Sequence, residues 1–119
     1  MVKKVNITVE AYRFNYITGY NEPPEMTVHL VYFTDVDDIH HRRLKKAKHV
    51  GYPKKMPTKG GTMSIPMPEK GQYYIFYGEL ADGTQSNWAN PIIYGNDGQK
   101  VTLYFEPVEK SEIQENNDV

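Results

Sequence analysis

The chain has no cysteine among its 119 residues. That excludes a disulfide framework, an iron–sulfur site and thiol catalysis. Tryptophan is nearly as scarce, with Trp88 alone. No run of about 18 apolar residues occurs, so no membrane-spanning helix is encoded and a soluble chain is expected. Met1-Val2-Lys3-Lys4 has two lysines but no apolar stretch behind them, which predicts no signal peptide. A native start at Met1 would make the protein cytoplasmic; an excised domain would be extracellular. Net charge is small too, at −1.

What is present points to strands. The hydrophobic fraction is 39%, and tyrosine supplies much of it, with 10 Tyr against 4 Phe. Tyrosine and β-branched residues suit pleated surfaces with one wet face. A chain of this length fits one domain and can bury enough apolar surface to fold without metal or disulfides.

Val5, Ile7, Val9 and Ala11 alternate with Asn6, Thr8 and Glu10, the period-two pattern of a half-buried strand. The phase then slips. Tyr12, Phe14 and Tyr16 carry the apolar face beyond it, as a bulge or a strand changing sheets would produce. Residues 26–33 predict a second strand, with Met26, Val28, Leu30 and Tyr32 on one face and His29, Val31 and Phe33 on the other. Residues 62–67 predict a third. Tyr73 to Glu79 is apolar on both faces, which predicts a central strand. Asn90 to Tyr94, with Pro91 near its start, suits an edge strand, and Val101 to Phe105 alternates again. Gly, Pro, Asn and Asp clusters separate these runs, as in a sandwich or barrel. From Glu106 onward come five acids and one lysine. Residues 1–106 are therefore expected to form the domain and 107–119 an acidic, disordered tail.

Val36 to Gly51 breaks the pattern. Asp37 or Asp38 suits the cap of a short helix, with Ile39, Leu44, Ala47 and Val50 as a thin apolar stripe. Acids first and bases last fit the helix dipole. Two strands joined by a basic hairpin fit residues 38–50 equally well.

No arrangement of residues suggests catalysis. Ser64, Ser86 and Ser111 lie outside any Gly-x-Ser-x-Gly elbow, and no spacing gathers a triad. Asp35, Asp37 and Asp38 lack the calcium-loop pattern and are expected to cap a helix or edge a loop. His40 and His41 diverge as sequence neighbours, and bases beside them and His49 would repel a cation. His29, inside a strand, is expected to be a hydrogen-bonded structural residue.

The sharp feature is charge segregation. His40 to Lys59 holds Arg42, Arg43, Lys45, Lys46, Lys48, Lys54, Lys55 and Lys59, eight of 14 bases, and no acid. Such a block attracts anionic partners despite the near-neutral total. Tyr52 lies inside it, available for stacking. Tyr16, Tyr20 and Trp88 sit near loops and suit a glycan-binding aromatic face.

Tyr73 to Ile92, with Ser86-Asn87-Trp88 and Asn90-Pro91-Ile92, resembles the last hairpin of a fibronectin type III domain. Ile65-Pro66-Met67-Pro68 through Tyr73 is similar to that family's turn into its corner tyrosine, which implies that the Tyr73 hydroxyl bonds back to upstream backbone. The resemblance covers residues 62–94. The family's core tryptophan has no counterpart in Met26–Phe33, and Val101–Phe105 follows where the family ends. Gly61 to Pro68, Gly71 to Ile75 and Lys100 to Phe105 also resemble a transthyretin-like or carboxypeptidase-regulatory-like sandwich.

The expected fold is all-β: a single immunoglobulin-like β-sandwich of about seven strands, with room for one short helix in the basic insertion. The expected function is non-catalytic, without cofactor or metal. Arg42, Arg43, Lys45, Lys46, Lys48, Tyr52, Lys54, Lys55 and Trp88 would bind a protein with an acidic surface. A polyanion or glycan is the alternative partner.

Overall fold

The alternating apolar residues at the start build β1 (Lys4–Tyr12), which buries Val5, Ile7, Val9 and Ala11. The structure, a computed structural model, describes residues 3–22, 25–57 and 59–109. Along the chain follow β2 (Phe14–Asn15), β3 (Tyr20–Asn21) and β4 (Met26–Phe33), then helix α1 (Val36–His40) and a 3-10 turn (Leu44–Lys46). After these come β5 (Lys48–His49), β6 (Lys54–Met56), β7 (Gly61–Pro66), β8 (Tyr73–Glu79) and β9 (Gln99–Tyr104).

Two sheets form. In one, β1 lies between β7, antiparallel to it, and β9, parallel to it. In the other, β4 pairs with β8 on one side and with both β5 and β6 on the other. β5 and β6 are two halves of one edge, interrupted between Val50 and Pro53, where Gly51 takes a φ of 68°. The protein is thus all-β, with seven strands in two sheets and a separate β2–β3 ribbon.

The sheets meet face to face. Val5, Ile7, Val9, Val101 and Leu103 from one pack with Met26, Val28, Leu30, Tyr74 and Phe76 from the other. Each such aliphatic or aromatic side chain contributes about 1.5–3 kcal/mol when fully buried. Gly78 lets the layers close: a Cβ there would lie 2.6 Å from Met26 Sδ and 3.0 Å from Phe105 Cζ. Val31, Phe33, Ile75 and Tyr77 form a second, smaller core on the outer face of β4 and β8, covered by Ile39, Ala47 and Trp88. The two-faced burial expected of Tyr73–Glu79 is present, and the strand is flanked on both sides, by β4 along one edge and by bridges from Ala89 to Phe76 and from Gln85 to Glu79 along the other.

Several expectations need correction. Tyr12, Phe14 and Tyr16 are 40%, 39% and 54% exposed, because the chain leaves the sheet at Arg13 to form the ribbon. Asn90 to Tyr94 is not a strand. Pro91 has no N–H to give a ladder, and Gln99 supplies side-chain bonds there instead, accepting from Tyr94 N–H and donating to the Ile92 carbonyl. The hydroxyl that bonds upstream belongs to Tyr74, which donates to the Pro66 carbonyl at 2.8 Å, and not to the half-exposed Tyr73. Folding also continues past residue 106. Tyr16 N–H donates to the Val108 carbonyl at 3.0 Å, and Val108 N–H to that of Phe14 at 2.9 Å. Of the expected disordered tail, residues 110–119 lie outside the described residues.

Candidate functional site

The basic segment begins where β4 ends. Asp35 caps α1, its carboxylate accepting from Asp37 N–H at 3.0 Å, so the cap falls earlier than Asp37 or Asp38. The helix lasts five residues. It stops because Arg42 takes φ 52°, a left-handed geometry that a non-glycine residue adopts at a cost of about 1–2 kcal/mol. Neither continuous helix nor paired strands therefore fills residues 38–50. The expected stripe divides as well. Ile39 and Ala47 pack on the outer core, Val50 packs on the inter-sheet core, and Leu44 is left 37% exposed.

The left-handed turn aims Arg42 at Trp88. The guanidinium carbon stands 4.8 Å from the ring centroid, a cation–π contact worth about 0.5–1 kcal/mol at an exposed site. Trp88 in turn stacks on Tyr77 at 5.9 Å and lies 5.8 Å from Phe33. It covers the outer core, and its Nε1–H donates to Gln85 Oε1 at 3.4 Å.

Arg43 is already engaged. Its Nη1 donates to Asp37 Oδ2 at 2.9 Å and Asp38 Oδ1 at 2.8 Å. The hydrogen bond from Arg43 holds the Asp37 carboxyl below its ordinary range; desolvation opposes it, and the charges of His41 and Arg43 add to the lowering. The acids just ahead of the basic block thus neutralise one of its members.

Four of the remaining bases fall into two groups. Arg42, Lys45 and Lys46 line one depression of about 820 Å³ on the loop. Tyr52 and Lys54 line a cleft of about 500 Å³ at the open edge between the sheets, where Lys4 joins them. Tyr52 is 93% exposed, and Lys54 Nζ donates across the gap to the Thr62 carbonyl at 2.7 Å. Lys48 is exposed on β5, paired across from Tyr32. Lys55 lies apart, in a depression shared with Glu25 and Glu79. Lys45, Lys46, Lys48, Lys54 and Lys55 form no ion pair among the described residues.

Lys4 is the residue the sequence did not single out. It stands 50 positions from Lys54 and reaches the cleft through the Lys4–Pro66 register of β1 and β7. His29 behaves as expected, its Nε2 3.1 Å from Glu79 Oε1 and its ring stacked 4.8 Å from Tyr77. Tyr16 and Tyr20 are exposed on the β2–β3 side, remote in sequence from Trp88. No helix among the described residues is long and apolar enough to cross a membrane. No protein-family model, curated protein or solved structure matches the chain.

Proposed function

We propose that this chain is a non-catalytic interaction module that binds a protein with an acidic surface through its basic loop and the adjoining sheet edge. One observation carries this reading. Lys45, Lys46 and Lys48 are exposed and make no ion pair among the described residues, on a loop pinned by Ile39, Ala47 and the Arg42–Trp88 contact. Cations held on a fixed scaffold lose less freedom on binding than cations on a free coil. Their field steers an anionic partner and weakens with salt.

The sandwich itself we read as immunoglobulin-like, of the fibronectin type III kind. The Tyr74 bond back to Pro66 at the β7–β8 corner supports this, as does the two-sheet packing. The missing tryptophan on β4 departs from it.

Chromatography on immobilised poly-glutamate and on heparin tests the function. Retention on poly-glutamate at low salt is expected, falling about tenfold in affinity in the Lys45→Glu, Lys46→Glu double variant. Preferential retention on heparin would favour the polyanion reading. Equal elution of both proteins from both resins at low salt would sink the proposal.

A further inference from the structure

β7 is an edge strand with its hydrogen-bonding groups partly open. Met67 N–H donates to the Lys3 carbonyl at 2.9 Å, so residue 67, and with it 65 and 63, turns its backbone toward β1. The intervening residues face outward. Thr62 and Pro66 confirm the phase, since their carbonyls accept from Lys54 Nζ and the Tyr74 hydroxyl on the far side. Between them, Ser64 N–H and C=O have no protein partner among the described residues.

The other edges are managed differently. The β5–β6 edge carries Lys48, Lys54 and Lys55 and is broken around Gly51 and Pro53, features that discourage strand pairing. β9 is covered at Tyr104, whose N–H donates to Asn87 Oδ1 at 2.7 Å and whose carbonyl accepts from Asn87 N–H at 3.1 Å. β7 instead borders the 500 Å³ cleft, in which Lys4 and Lys54 stand among apolar and neutral residues with no acid.

We infer that this cleft receives an extended acidic segment of a partner protein, which adds to β7 as a further strand. The inference rests on the proposed binding of acidic proteins and gives that binding a mode. The incoming backbone would meet Thr62 N–H and both groups of Ser64. A carboxylate that draws the Lys54 ammonium away would free the Thr62 carbonyl for another bond. Lys4, in register with Pro66, offers a second cation at the other end of the edge. Tyr52, at the mouth, offers its exposed ring to the added strand. Main-chain bonds supply the affinity, and the two lysines supply the preference for acids.

The probe is a capped heptapeptide of alternating glutamate and valine, titrated into the full chain at low salt. Its control is the same peptide N-methylated at every residue, with equal charge but without backbone donors and with both edges blocked. The alternating peptide is expected to bind at least about tenfold more tightly than the control. It should also protect the Thr62 and Ser64 amides from hydrogen exchange. Lys54→Glu and Lys4→Glu should each weaken it about five- to tenfold. If both peptides bind equally, and the Lys45→Glu, Lys46→Glu variant alone abolishes binding, strand addition is overturned while acidic-surface recognition stands. If neither peptide nor poly-glutamate binds at low salt, both fall together.

Discussion

Tyr74 concentrates at one position what the fold asks of a residue. It is 4% exposed and gives its hydroxyl to Pro66, so Tyr74→Phe should cost about 1 kcal/mol in urea-denaturation stability. Tyr73→Phe, at a half-exposed position, should change stability by less than about 0.5 kcal/mol. Burial, then the charges of Glu69 and Tyr32, pushes the Tyr74 hydroxyl above the ordinary tyrosine value of 10.0; burial and Glu79 do the same to Tyr77. Unfolded tyrosines ionise first, so this contribution is intact below about pH 10 and is lost as pH rises toward the folded-state values. Urea midpoints between pH 8 and 11 should therefore fall, and fall less steeply in the Tyr74→Phe, Tyr77→Phe double variant. The corner tyrosine was legible one residue out. Two adjacent tyrosines on a strand apolar on both faces carry no local mark of which points inward; pairing of β8 with β4 decides it.

At the scale of elements, strands with one wet face announced themselves and charged edges did not. β1 and β9 alternate as half-buried ladders must, and each appears where that alternation lies; β4 alternates over Met26–Leu30 and then buries Val31 and Phe33 on its other face as well. β5 and β6 total five residues, mostly lysine, and owe their existence to β4 alone. The loop group of bases was readable from composition; the cleft was not, because its walls come from β1, β7 and the β5–β6 edge. Gly60 sets the entry to β7. With φ 87°, it brings the chain so close that a Cβ would lie 2.0 Å from the Val9 carbonyl oxygen. Gly60→Ala combines left-handed strain with a backbone clash and should cost at least about 2 kcal/mol, read as a drop in thermal midpoint. The same substitution at the open Gly83 turn should show strain without the clash, and a smaller loss.

The whole molecule is tied together by its most distant parts. The first long strand pairs with the last, Val9 beside Val101, so closing the main core requires most of the chain. Such non-local topology predicts refolding in milliseconds to seconds, measured by stopped-flow fluorescence of Trp88, and not in microseconds. The parallel sense of that pairing has a mechanical meaning. Lys4 opens β1 at one pole of the sheet, and Tyr104 closes β9 at the other. A pull on the two ends would drag these strands lengthwise past each other and load all six register positions at once. Peeling, which breaks bonds singly, is denied by the geometry, so tension applied at the two ends meets the whole β1–β9 ladder together.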